Sequence, residues 1–68
     1  MSYKIRKEPG GPAWQVVQSP VPGSFPGSVD VKMDNVPDAQ RAKEIAGLLT
    51  VLKNGYCDLE AIEDITPR

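Results

Sequence analysis

Residues 28–55 read SVDVKMDNVPDAQRAKEIAGLLTVLKNG, and within them the spacing of apolar residues changes from two to between three and four. In residues 28–34, Val29, Val31 and Met33 alternate with Asp30, Lys32 and Asp34. Successive side chains of a strand leave from opposite faces, so this alternation predicts a strand with one solvated face. Over about 36–53, Ala42, Ile45, Leu48, Leu49 and Leu52 recur at helical spacing and predict one apolar stripe along a helix. Asn35 is placed to cap it, Pro37 to occupy the first turn, where a missing N–H costs nothing, and Asp38 to complement the dipole. Lys53, Asn54 and Gly55 supply the stop.

Toward the N-terminus, SYKIRKE alternates Tyr3 and Ile5 with Lys4 and Arg6, and AWQVVQ is again strand-like. PGGP at 9–12 lies between them and predicts a β-hairpin with a loop longer than two residues, strands falling at about 2–8 and 13–18. SPVPGSFPGS at 19–28 holds three prolines and two glycines and reads as a stiffened connection to the third strand. In the tail, YCDLEAIEDITPR, Asp58 can cap a short helix over about 58–65 with Leu59, Ile62 and Ile65 along one side; an edge strand is the alternative. The expected fold is one α+β domain over 1–68: a small three-stranded antiparallel sheet packed against one long helix, with this short C-terminal segment beside it. Its expected core is Tyr3, Ile5, Trp14, Val16, Val29, Val31, Met33, Ile45, Leu48, Leu49, Leu52, Leu59 and Ile62.

Composition narrows the function classes. The 68 residues are 40% hydrophobic and 25% charged with net charge −1, which argues against disorder and against a strong basic field for nucleic acid. A domain of this size buries only about 60% of its unfolded surface and is marginally stable. The single cysteine, Cys57, forms no intrachain disulfide, so a reducing cytoplasm is the expected compartment. No apolar run approaches the roughly 20 residues of a membrane span. The chain starts at Met1 without a visible tag and is expected to be a complete small gene product.

The absence of histidine removes the commonest general base and the commonest nitrogen metal ligand. Cys57 stands beside Asp58, not beside a cation that would activate a thiol, and reads as a small semi-buried apolar residue. Asp58, Glu60, Glu63 and Asp64 match no calcium loop and read as a solvated face, or as an acidic edge for a partner. Neither a catalytic residue, a metal site nor a cofactor is expected. The KIRK cluster at 4–7 puts Lys4 and Arg6 on one strand face, a small footprint for phosphates. Trp14, the only tryptophan, reads as core. Residues 1–20 carry net +2 and residues 54–68 net −3, so the two ends attract one another or a head-to-tail partner.

Two function classes follow. The first is a non-enzymatic protein-binding regulator or inhibitor, of a kind common in phages and mobile elements, that occupies a surface of a larger macromolecule. Its candidate contacts are Phe25 with Pro22 and Pro26, the acidic tail, and Lys4 and Arg6. The alternative is a small nucleic-acid-binding accessory that uses the Lys4/Arg6 face. The chain is expected to be a monomer or a homodimer, since Val51 lies off the main helix stripe and could pair two copies. Phe25 lies in a loop with little local surface to bury it, so Phe25→Ala should cost about 2 kcal/mol or more of partner affinity, roughly thirtyfold. Stability should change by no more than about 0.5 kcal/mol. Melting temperature and affinity measured side by side check this, and a large fall in melting temperature with affinity retained would make Phe25 a core cap.

Overall fold

The computed structural model describes residues 3–18 and 30–66. Strands β1 (Tyr3–Lys7), β2 (Trp14–Gln18) and β3 (Asp30–Val36) form an antiparallel sheet in that order. Helix α1 (Ala39–Asn54) lies across one face, followed by a single 3₁₀ turn at Leu59–Ala61. The expected α+β architecture is therefore present.

The first hairpin follows from its turn chemistry. Gly11 N–H donates to Glu8 O at 3.2 Å, Pro9 and Gly10 are the central residues, and Gly10 has φ 75°. Proline fixes the first central φ and glycine accepts the positive second one, the requirements of a type II turn. Glu8 N–H to Ala13 O at 2.7 Å closes the loop. Beyond it Ile5 stands opposite Val16 and Arg6 opposite Gln15.

In β3 the regular alternation is interrupted twice. Trp14 stands opposite Val36, Val16 opposite Met33 and Val17 opposite Val31, so β3 spends one extra residue in each of two steps. Asn35, at φ 59°, is the one non-glycine residue among those described with a left-handed backbone, a conformation asparagine tolerates. Val31 and Met33, expected on one buried face, are thus opposite consecutive residues of β2, which point to opposite faces. Val31 stays 41% exposed and Met33 45%, because α1 packs chiefly over β1 and β2. Val36 enters the core in their place. Val29 lies outside the described residues.

The helix begins at Ala39, not near residue 36. Its cap is Asp38, whose carboxylate accepts from Arg41 N–H at 2.7 Å, and Pro37 and Asn35 precede it. Gly55, at φ 80°, ends it as expected, its N–H donating to Val51 O at 2.8 Å. The buried face is Ala42 and Ala46, with Ala39, Ile45 and Leu49 packed at its margins. Leu48 and Leu52, expected in the core, are 65% and 84% exposed. Small residues against the sheet let the helix lie close to it, and that rotation turns the larger leucines outward.

The tail corrects the expected helix over 58–65. After the three-residue 3₁₀ turn the chain extends beside β1: Ile5 N–H donates to Glu63 O at 3.0 Å and Ile65 N–H to Ile5 O at 2.8 Å, making a parallel bridge. Lys7 N–H donates to the Thr66 hydroxyl at 2.9 Å. The segment thus takes neither expected form in full: a three-residue 3₁₀ turn is followed by an isolated bridge to β1, not by a fourth strand. An uncovered β1 would leave edge N–H and C=O groups unpaired around a fully buried Ile5. Ile62 closes the core formed by Ile5, Val16, Val36, Ala42 and Ala46. Tyr3, Trp14 and Cys57 pack against it from the margins. Leu59, expected in the core, is 41% exposed and lies over Gly47.

Ile5→Ala removes a fully buried side chain and is expected to cost about 2–5 kcal/mol. Leu52→Ala should stay within about 0.5 kcal/mol. Urea unfolding of the two variants measures the contrast directly; equal losses would mean the helix faces are reversed.

Candidate interaction surface

The outward side of α1 carries the largest exposed apolar groups among the described residues. Leu48, Val51 and Leu52 are spaced i, i+3, i+4 and so lie side by side on the helix surface, and Tyr56, 76% exposed, follows just beyond the C-cap. Beside them is a shallow groove of about 390 Å³ lined by Glu44, Gly47, Leu48, Val51, Cys57 and Leu59. Gly47 lets Leu59 lie against the helix: a Cβ at this position would overlap Leu59 Cδ2 and lie 3.5 Å from Cys57 Sγ, so a larger residue requires the Leu59 side chain to move. At the N-terminal end of the face, Arg41 Nη1 and Glu44 Oε2 form an ion pair at 3.2 Å.

The residues singled out by charge are largely engaged within the fold. Lys4 Nζ pairs with Glu63 Oε2 at 3.0 Å, so the basic and acidic ends of the chain do meet. Arg6 Nε donates to Gln15 Oε1 at 2.8 Å, and Gln15 Nε2 donates to Asp34 Oδ1 at 3.3 Å, a polar row that crosses all three strands. Asp58 accepts from Glu60 N–H at 3.0 Å, and Asp64 accepts from Thr66 N–H at 2.9 Å and from its hydroxyl, so both carboxylates serve turns. Glu60 is exposed. Phe25, Pro22 and Pro26 lie outside the described residues. Cys57 is semi-buried. Among the described residues, no three His, Cys, Asp or Glu side chains converge as metal ligands would, and no helix is long and apolar enough to cross a membrane.

Two charged groups on the sheet are electrostatically tuned. Asn35 N–H, donating to Asp34 Oδ1 at 2.6 Å, and then the Gln15 amide hold the Asp34 carboxyl below its ordinary value. Lys32 is raised, chiefly by its hydrogen bond to Asp30, with which it pairs at 2.6 Å.

The outward apolar face left a trace in the sequence. Four of the five residues 48–52 are Leu or Val, which is too many for one stripe, and Val51 was the part of that signal visible as an off-stripe residue. Compared with protein-family models, curated proteins and solved structures, the chain matches none of them.

Two expectations follow. Because the Asp34 pKa is lowered on folding, its stabilisation is complete above the unfolded carboxylate value of 3.8 and is lost as pH falls through the lower folded value. Asp34→Asn should therefore be less stable than the parent at pH 7 and converge on it as pH falls through the lowered folded value, as seen in urea unfolding across pH. For Gly47→Ala, better helix propensity, about 1 kcal/mol, opposes displacement of Leu59. Amide exchange at Ala61 and Ile62, whose N–H groups close the 3₁₀ turn, should accelerate whichever way net stability moves.

Proposed function

We propose that this chain is a non-enzymatic protein-binding module, a small regulator or inhibitor that acts in the cytoplasm by occupying a surface of a larger macromolecule, with the outward face of α1 as its contact. The observation that carries the reading is the inverted use of residue size: α1 turns Ala42 and Ala46 to its own sheet and Leu48, Val51 and Leu52 to solvent. A helix serving only its own core gains most by the opposite arrangement, since fully burying a leucine is worth about 1.5–3 kcal/mol. Clustered apolar side chains rimmed by charges are what an interface core requires. The nucleic-acid alternative has less support, because Lys4 and Arg6 already have partners within the fold.

The test is affinity capture from the native host, followed by mass spectrometry, with the parent and Leu48→Asp and Leu52→Asp variants. Both leucines are largely exposed, so the variants should melt with the parent. The expected result is one protein held by the parent through a wash of about 0.5 M salt and lost from both variants. Equal retention by all three would remove α1 as the contact. Retention that disappears on nuclease treatment would transfer the function to the Lys4/Arg6 face.

A further inference from the structure

We infer that residues 57–66 form a strap that opens and closes as a unit on the edge of β1 while the hairpin, β3 and α1 stay folded, and that the groove beside α1 is built only while the strap is closed. Two attachments hold it. On one side it meets β1: Ile5 N–H donates to Glu63 O at 3.0 Å, Ile65 N–H to Ile5 O at 2.8 Å and Lys7 N–H to the Thr66 hydroxyl at 2.9 Å. Among the described residues, these are its only hydrogen bonds to the rest of the domain besides the Lys4–Glu63 pair, whose Glu63 side chain is 62% exposed. On the other side, Leu59 lies over Gly47 with Cys57 next to it, and Ile62 enters the core. The remaining hydrogen bonds of the segment are internal: Glu60 N–H to Asp58 Oδ1, Ala61 N–H to Asp58 O, Ile62 N–H to Leu59 O, and both Thr66 donors to Asp64 Oδ1.

Opening leaves few groups unpaired. Strand β1 lies between β2 and the strap, and its N–H groups alternate between them. Glu8 N–H goes to Ala13 O, so Lys4 and Arg6 also turn their N–H groups to β2, while Ile5 and Lys7 turn theirs to the strap. Releasing the strap hands the Ile5 and Lys7 groups to water and leaves β1 paired with β2. Of the core cluster Ile5, Val16, Val36, Ala42, Ala46 and Ile62, only Ile62 departs. A local opening of this kind lies below the free energy of global unfolding. The groove departs with the strap, because Cys57 and Leu59 form its wall opposite Glu44, Gly47, Leu48 and Val51. Release from β1 and loss of the groove beside α1 are then one event. A partner seated in that groove would hold the strap closed, a consequence that rests on the reading of α1 as the contact surface; the strap itself does not.

Native-state amide exchange of the full chain, followed by NMR in urea below its unfolding midpoint, tests the strap. Ile5 is fully buried, so burial alone predicts very slow exchange at its amide. The strap predicts the opposite: protection at Ile5 at least about tenfold below that at its neighbour Arg6, matched by Ile62 and Ile65 and nearly independent of urea. Val17 is fully buried opposite Lys4 and lies outside the cluster that Ile62 joins. Val17→Ala should therefore lower protection at Arg6 at least about tenfold and leave Ile5 within about twofold. Gly47→Ala displaces Leu59 and should accelerate exchange at Ile5 at least about threefold, although Gly47 and Ile5 meet the strap at different places. Equal protection and equal urea dependence at Ile5 and Arg6 would mean that the strap opens only with the whole domain, and the inference is overturned. A parallel loss at both amides in Val17→Ala overturns it too. Exchange at Ile5 indifferent to Gly47→Ala would separate the groove from the β1 edge and overturn their coupling. All of these readouts come from the chain alone, so a failed strap leaves the contact surface to be judged by affinity capture.

Discussion

Ile5 is the residue on which the rest of the structure depends. Its side chain is fully buried between the sheet and α1, opposite Val16 of β2. On its other edge, the N–H donates to Glu63 O and the C=O accepts from Ile65 N–H. One residue therefore ties the hairpin, the helix and the tail together. The requirement that a buried backbone group find a partner explains why the tail is extended after residue 61. The Lys4–Glu63 pair at 3.0 Å lies at the same junction, but Glu63 is largely exposed and solvent screens it, so the backbone pairing and Ile62 hold the tail in place.

Helix α1 answers to two demands. Close approach to β1 and β2 selects Ala42 and Ala46, because larger side chains would hold the axis farther from Ile5 and Val16. The approach leaves the apolar surface of Leu48, Val51 and Leu52 unused by the domain itself. Gly47 extends the same logic sideways: the missing side chain admits Leu59, and the resulting contact shapes the groove beside the exposed leucines. The fold and the proposed contact surface are thus two consequences of one choice of small residues. A domain of 68 residues has little core to spare, and leaving large apolar groups outside is intelligible if a contact covers them.

The elements most legible in the sequence were those whose signals are local. Gly55 stopped the helix where a left-handed residue was needed, and Pro9 with Gly10 made the hairpin turn, because φ preferences act within a few residues. The strand-to-helix switch near residue 36 was legible through its change of apolar period. Asp38 took the capping role assigned to Asn35, since both can cap and only the path out of β3 chooses between them. The charge asymmetry of the ends was legible too, and Lys4 with Glu63 realises it.

The class of fold, the number of its strands and the presence of one long helix were set along the chain, because hydrophobic period and turn residues operate locally. Tertiary structure decided which face of each element is inside. Val31 and Met33 share a face by alternation, yet the irregularity between them sets them against neighbouring residues of β2, and α1 packs chiefly over β1 and β2. Leu48 and Leu52 belong to a plausible stripe, yet the sheet accepts the alanine side of the helix because distance, not hydrophobicity alone, governs packing. The tail pairs with β1 through an isolated bridge because β1 offered unpaired backbone groups that only its assembled neighbours reveal. Burial is a relation between elements, so a periodic pattern proposes a face and the partner element selects it.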